Sequence, residues 1–540
     1  MPVKPNPALG ENIRQRFSTS LPLFLCNDRV SVKLEIKPYL QPFEEILAMR
    51  ELRAIVEDGL EIEEQFGLHV VKSGIPVDVL RSKLTYWQRI GIENLQPTLQ
   101  TALEFTQNGT SSFERKELHN ARRLRYGPHD LHEYRGKFFP QLVRSLINIS
   151  KVSDNSLILD PMCGSGTTPC EAVALGHSTI AADLNPLSVL IATVKSRIVS
   201  ENGEHFLRKV NKDLSRFDFS CSDDITSIWD AEDYDYLSRW FDCQALKEVG
   251  CILLQLRKVR NSLHKSFYTV CLSNIIRSIS WQKKDDLRVR KEIVKFTKGS
   301  AISSFVNEVN QQSDRIYHYL NAFSKERCSP GIDIRNGNAV QISELFPEKK
   351  GGVDLLITSP PYATALPYLD TDRLSLIAIG LLPRKMHRSF EENMVGTREV
   401  SERQRSLAWA IYQQRRNELP NCIQKLIDGL AHRNHMDGVG FRRRNLPALL
   451  GKYYLNMLDA MRSAYAMMAP NSHAYYVVGN NSTTSDGDKI EIPTDTFLFE
   501  MGGLAGWQLI EMLPMELLVS RDIFRGNRGS AETILCFRKA

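Results

Sequence analysis

The chain has 540 residues, 42% of them hydrophobic and 24% charged, the composition of a globular protein with a sizeable core in roughly two to four domains. Lys and Arg outnumber Asp and Glu by only 69 to 63, a net +6, so overall charge alone does not require a polyanionic partner. Ten cysteines without a Cys-x-x-Cys pair exclude the common zinc spacings and read as reduced thiols of a cytoplasmic protein. Residues 1–17 lack the apolar stretch of a secretory signal, and no apolar run approaches the roughly 18 residues of a membrane span.

Residues 1–120 carry no chemical motif. Within 42–65, Phe43, Ile46, Leu47, Leu52, Ile55 and Val56 recur at helical spacing, and 77–105 repeats the pattern, so this region is expected to be a helical accessory unit. Residues 137–147 predict a helix and Ser156-Leu157-Ile158-Leu159 a short buried strand. The strand runs into Asp160-Pro161-Met162-Cys163-Gly164-Ser165-Gly166-Thr167-Thr168. A helix then runs to Gly176, and a strand over 179–182 ends at Asp183.

Regular strand–helix spacing stops there. Between Cys251 and Ser300, twelve Lys/Arg face three Asp/Glu, with Phe267, Tyr268, Trp281 and Phe296 among them. Residues 201–330 are therefore expected to be an insert suited to phosphate contacts. Strand patterns resume at 331–334 and 353–358, the latter ending in Thr358-Ser359-Pro360-Pro361-Tyr362. Residues 374–382 read as a buried helix, 453–468 as an amphipathic helix and 474–479 as a strand. Residues 507–512 and 532–537 read as a closing hairpin with an antiparallel strand at the sheet edge. The expected organisation is an accessory region (1–120), a cofactor-binding half (121–200), an inserted target-recognition region (201–330) and a catalytic half (331–540).

The strand–glycine loop–helix–strand unit has the physical logic of a dinucleotide-type fold. Gly164 and Gly166 let backbone N–H groups approach a ligand, and Asp183 ends the second strand where a carboxylate accepts ribose hydroxyls. Asp160 is placed to meet a cationic ligand group, and Pro161, Cys163 and Thr167 share its loop. There is no Gly-x-x-x-x-Gly-Lys, which argues against a nucleoside triphosphate. Asn338, in a Gly-Asn-Ala step, is a candidate to bond an adenine amino group. Phe138 and Phe139 are candidate pocket walls, with His132, Tyr134 and Lys137 just before them. No metal is expected.

The amino group of a nucleobase is a poor nucleophile because its lone pair is delocalised into the ring. Ser359 Oγ and the Pro360 carbonyl are adjacent acceptors for such an N–H group. Pro360 and Pro361 stiffen the loop that presents them. Tyr362 offers a flat face for a base turned out of a duplex. Thr364, Tyr368 and Asp370 follow as candidate walls of the base pocket.

With both motifs in this order, the chain resembles the amino-methyltransferases of DNA, the N4-cytosine/N6-adenine family of restriction-modification and phage defence, over about residues 126–200 and 331–540. Cys163 stands where that family frequently has Phe. The resemblance implies an α/β, Rossmann-like methyltransferase fold with a seven-stranded, mostly parallel sheet, a helical N-terminal region and an inserted recognition domain. It implies S-adenosyl-L-methionine (SAM) as cofactor and double-stranded DNA as partner, with no membrane. A restriction endonuclease or another defence protein becomes a candidate partner. Ser359 at the head of the catalytic tetrapeptide implies N4 of cytosine as the target. N6 of adenine, guanine N2 in RNA and an inactive DNA-binding subunit stay open as alternatives. In the family pattern a central recognition domain follows the Gly-Asn-Ala strand, whereas here the insert precedes it. Residues 387–447, with Arg415-Arg416 and Arg442-Arg443-Arg444, are therefore a second candidate for reading the target.

Overall fold

Unbroken apolar runs such as Leu157-Ile158-Leu159 and Leu355-Leu356-Ile357 suit strands buried on both faces. The computed structural model describes residues 29–540 except 57–61, 66, 108–109, 112–122, 135–137, 221–224, 284–289, 324–329, 365–367, 397–400, 435–439, 486 and 516–531. It gathers these runs into one seven-stranded sheet. The strands are β1 (Leu157–Asp160), β2 (Ser178–Asp183), β3 (Ile332–Asn336), β4 (Val353–Thr358), β5 (Met468–Gly479), β6 (Gln508–Met515) and β7 (Glu532–Arg538), in the spatial order β3-β2-β1-β4-β5-β7-β6. Around or beside the sheet, among the described residues, lie helices α1 (Pro140–Ile149), α2 (Thr167–Ala174), α3 (Pro186–Val199), α4 (Ser262–Ile279), α5 (Ser300–Asn321), α6 (Tyr368–Ala378), α7 (Glu402–Arg415), α8 (Asn421–Arg433) and α9 (Phe441–Met467).

Strands β1 to β5 are parallel, and β7 pairs antiparallel with both β5 and β6. The reversed strand is thus interior, not at the edge as the sequence predicts. The closing hairpin folds so that β7 slots beside β5 and leaves β6 outermost. The chain steps outward from β1 through β2 to β3 on one side and from β4 to β5 on the other. The order reverses between β1 and β4, which lie side by side with Leu159 opposite Leu356. At such a switch point the connections leave in opposite directions and a crevice opens at the carboxyl ends of the strands. Both motif-bearing loops leave from those two ends. This is a Rossmann-like, mostly parallel α/β sheet.

Alternation along each strand divides the core. Leu355, Ile357, Tyr475 and Val477 pack with Leu142 and Leu146 of α1, whereas Leu356, Tyr476 and Val478 pack with Tyr454, Leu458 and Met461 of α9. The α1 face also receives the N-terminal region. There Phe43, Leu47 and Leu52 of the helix Pro42–Val56 are buried, while Ile46 is exposed. Buried Glu51 fastens this helix by accepting from the Thr85 N–H (2.9 Å) and from Asn148 Nδ2 of α1 (2.8 Å).

The expectation of a second long helix over 77–105 is corrected. That stretch divides into the helices Val77–Lys83 and Leu99–Phe105 around the strands Trp87–Gly91 and Gln96–Pro97. With Val30–Ile36, Ile62–Gln65 and Leu68–Ser73 they complete a five-stranded antiparallel sheet. The N-terminal region is therefore mixed, not helical. Trp87, Gln88, Ile90 and Gly91 are all buried, so this strand shows none of the alternation that betrays a half-exposed one.

The described part of 201–330 is helical and shares one core with the sheet's flank. Phe267 and Tyr268 of α4 and Phe305 and Tyr319 of α5 pack with Ile191 and Val194 of α3 and Leu376 and Ile377 of α6. Two of the four aromatics expected to interleave with its basic residues are thus core. Trp281 donates from Nε1 to the Val294 carbonyl (3.1 Å), and Phe296 packs at the core margin. Among the described residues, no helix is long and apolar enough to cross a membrane.

Candidate active site

The glycine loop is shaped mainly by its own backbone. Gly164 has φ +49° and its N–H donates to Asp183 Oδ2 at 2.8 Å. Gly166 has φ +79° and begins α2, and a Cβ there would lie 2.5 Å from Ala192 Cα and Cβ. Gly166 is therefore required by the approach of α3 and is not among the residues lining the cavity described below. The other Asp183 oxygen accepts from the Asn185 N–H at 2.8 Å, so the carboxylate is clamped at the end of β2. Burial pushes Asp183 up to about 6, against those backbone donors.

Asp160 does not reach that cavity. It is buried and accepts from Thr358 Oγ1 (2.7 Å) and from the Met162 N–H (3.1 Å). It thereby joins the ends of β1 and β4. Burial pushes it up to about 7, with the Thr358 hydroxyl opposing. On the far side of the loop, buried Lys195 donates to Ser165 Oγ at 3.3 Å, and burial pushes its ammonium down to about 8.

The Ser-Pro-Pro-Tyr loop leaves β4 opposite. The Pro361 carbonyl accepts from the Tyr453 hydroxyl of α9 at 2.8 Å, and the Tyr362 hydroxyl donates to Glu532 Oε1 of β7 at 2.8 Å. The Tyr362 ring is backed by Gly479 at the end of β5, where a Cβ would come within 2.5 Å of it. The loop is thus held from three strand ends and a helix.

Between the two loops lies a cavity of about 340 Å³, within the usual range for small-molecule sites. Pro161, Cys163, Gly164 and Thr167 line one side and Ser359, Pro360, Pro361 and Tyr362 the other, with Phe138, Phe139 and Tyr134 as an aromatic wall. Among the described lining residues the carboxyl groups are Asp183 and Glu532, and no Lys, Arg or His is present. Burial holds the Cys163 thiol well above its ordinary range, so it stays neutral. A cavity with two carboxyl groups and no cation suits a nucleoside with a positively charged tail and disfavours a phosphate. The residues therefore fit SAM. Among the described residues, no group of three or more His, Cys, Asp or Glu could hold a metal ion.

Asn338 lines the cavity, but its amide is engaged locally. Its Oδ1 accepts from the Val340 N–H and its Nδ2 donates to the Asn393 carbonyl, both at 3.1 Å. His132 turns away to Ser273 of α4 (3.1 Å), and Thr364 does not reach the wall. Lys137 lies outside the described residues, as do the side chains of Tyr368 and Asp370. Reasoning from sequence misses Glu532, Asn185, Met394, Val395 and Val477, all of which line the cavity. Only the pairing of β7 with β5 could have pointed to Glu532, which stands opposite Gly479.

Residues 131–227 match the UPF0020 family, described as an RMKL-like methyltransferase domain. The chain is 20% identical over 394 residues to the Type II methyltransferase M.MvaI of Kocuria varians, covering 69% of this chain and 80% of that one. It is 22% identical over 320 residues to the Type II methyltransferase M.MjaII of Methanocaldococcus jannaschii, covering 44% of this chain and 60% of that one. The crystal structure of TrmN from Thermus thermophilus aligns at 11% identity and a TM-score of 0.32, covering 94% of this chain and 99% of that one. The chain carries a methyltransferase domain.

Proposed function

We propose that this chain transfers the methyl group of SAM to the N4 amino group of cytosine in double-stranded DNA, within restriction-modification or phage defence. The observation that carries the reading is the meeting of the glycine loop and the Ser-Pro-Pro-Tyr loop across one cavity at the sheet's switch point, whose described lining carries two carboxyl groups and no cation. The Type II methyltransferases among its relatives support DNA as the substrate. Serine at position 359 favours cytosine over adenine, as the family resemblance implies.

When bound, SAM supplies an electrophilic methyl group. Asp183 is placed to accept from ribose hydroxyls, and Phe138 and Phe139 wall the pocket. Ser359 Oγ and the Pro360 carbonyl accept from the amino group of the base and draw its nitrogen towards a localised lone pair. Tyr362, fixed by Glu532 and Gly479, presents a face for the flipped base to stack on. Two adjacent prolines and the Tyr453 bond keep these acceptors in place before the base arrives.

The test is mass spectrometry of nucleosides from the DNA of a methylation-deficient host expressing the chain, beside a Ser359→Ala, Tyr362→Ala variant. N4-methylcytosine that vanishes in the variant is the expected result. N6-methyladenine instead would overturn the choice of base, and an unmodified genome with intact SAM binding would overturn DNA as the substrate.

A further inference from the structure

Among the described residues the insert supplies none that line the cavity, whereas Met394 and Val395, from the segment after β4, do line it. That segment continues into α7, which lies along α9. Tyr412 of α7 packs on Gly451 of α9, where a Cβ would come within 2.8 Å of its ring, and Arg415 pairs with Asp459 at 2.7 Å. Both pairings advance in the same direction, so the amino-terminal ends of α7 and α9 lie together. The carboxyl end of α8 joins them, because Asn434 Nδ2 donates to the Arg443 carbonyl at 2.8 Å.

Arg403, Arg442, Arg443 and Arg444 are all exposed at that shared end, next to Phe441 at 49% and Leu407 at 61% exposure. Arg415 and Arg416, where α7 ends, are held in ion pairs, Arg415 with Glu418 and Asp459 and Arg416 with Asp428. The arginine end is also tied to the cavity rim. Gln404 Nε2 bonds to Glu392 Oε1, and Lys452 Nζ of α9 donates to the Glu392 carbonyl at 2.5 Å, two residues before Met394. Along α9, Arg442 and Tyr453 are eleven residues apart, roughly 16 Å at helical rise. Tyr453 is the residue that holds the Pro361 carbonyl.

We propose that the joined amino-terminal ends of α7 and α9, through Arg403 and Arg442 to Arg444, grip the phosphate backbone of duplex DNA beside the base that enters the cavity. This assignment rests on the DNA reading above. Exposed guanidiniums give charge complementarity and bidentate phosphate geometry, and adjacent exposed apolar side chains suit sugars or an unstacked base. The spacing to Tyr453 matches a backbone grip a few base pairs from a flipped nucleotide, since base pairs rise by about 3.4 Å.

Fluorescence anisotropy of a labelled duplex, as a function of salt, tests this. Wild type is compared with Arg442→Glu, Arg443→Glu, Arg444→Glu and with the insert variant Lys291→Glu, Lys295→Glu, Lys298→Glu, with SAM affinity measured on each. The arginine variant is expected to lose at least tenfold in duplex affinity and to flatten the log–log salt slope by about two to three, with SAM affinity retained and a larger loss than in the lysine variant. If charge reversal impairs SAM binding through misfolding, the triple alanine variant carries the same test. Unchanged duplex affinity and slope in a SAM-binding arginine variant overturn the assignment while leaving the DNA reading standing. A wild-type protein that binds SAM but no duplex overturns the DNA reading, and the assignment with it.

Discussion

Gly164 is held by Asp183, 19 residues on, and Ser165 by Lys195, 30 residues on. Across the cavity, Pro361 is held by Tyr453, 92 residues away, and Tyr362 by Glu532, 170 residues away. The cofactor side is thus a local construction, completed by β1, α2, β2 and the helix α3 that follows them. The catalytic side exists only once α9 and β7 have docked. Disturbing the first should strike folding and cofactor affinity, whereas disturbing the second should strike turnover with cofactor affinity spared.

The largest expected effect tests the local side. Gly166→Ala forces a side chain into a left-handed backbone and onto Ala192. The left-handed strain of about 1–2 kcal/mol and an overlap of similar size should together destabilise by about 3 kcal/mol, read by chemical denaturation. Gly176→Ala, also at positive φ but with nothing within 4 Å, should lose only about 1 kcal/mol. Equal losses would mean that α3 yields and that the close approach is not what selects glycine.

Asp183→Ala comes next. It strips the Gly164 N–H of its acceptor and removes the carboxylate from the cavity. SAM affinity should fall at least tenfold, about 1.4–3 kcal/mol for bonds to a charged group. The pH dependence carries a sign. Ribose hydroxyls donate, so the cofactor competes with the proton for this carboxyl group. Wild-type affinity should be flat above about 6 and fall towards tenfold per unit below it, while Asp183→Asn shows no such break. The folding contribution runs the other way. A carboxyl raised from 3.8 to about 6 binds its proton more tightly when folded, so its stabilisation is full below 3.8 and is lost as pH rises through 6.

Much of the local side was legible because its chemistry fits into the stretch from Asp160 to Asp183. The role of Asp160 was not. Its side chain turns to Thr358 across the β1–β4 boundary, and only the sheet order puts those residues together. Glu532 and Tyr453 were invisible as site residues for the same reason, although the strand and helix that carry them were expected. The insert misled differently. Phe267 and Tyr268 sit among basic residues in sequence, yet the helical turn of α4 points them into the core. In the N-terminal region the strand Trp87–Gly91 is buried almost throughout and gave no alternation to detect, whereas Val30–Ile36 does alternate apolar and polar residues and carried a legible strand signal.

Tyr453→Phe tests the distant side. It leaves the Pro361 carbonyl without this donor and loosens the loop by about 1 kcal/mol. A fall of about fivefold in kcat with unchanged SAM affinity is expected. A parallel loss of SAM affinity would mean that the two walls are not separable.

The smallest effect concerns Lys195, a cation that reaches the glycine loop from behind through Ser165. Buried, it keeps a charge whose desolvation pushes it down from 10.5 to about 8. Replacing such a charge with an apolar side chain of similar length is often neutral or stabilising, so Lys195→Met should change stability at pH 7 by less than about 1 kcal/mol. The pH profile separates it from wild type more sharply. Between about 8 and 10.5 the unfolded chain holds the proton that the folded chain has released. Wild-type stability should therefore gain from this group as pH rises through that window, and the Met variant should lack that gain. If the two profiles run parallel while SAM affinity drops in the variant, Lys195 is held charged by the loop, and the cofactor side then depends on a cation beneath it as well as on the carboxylate at its edge.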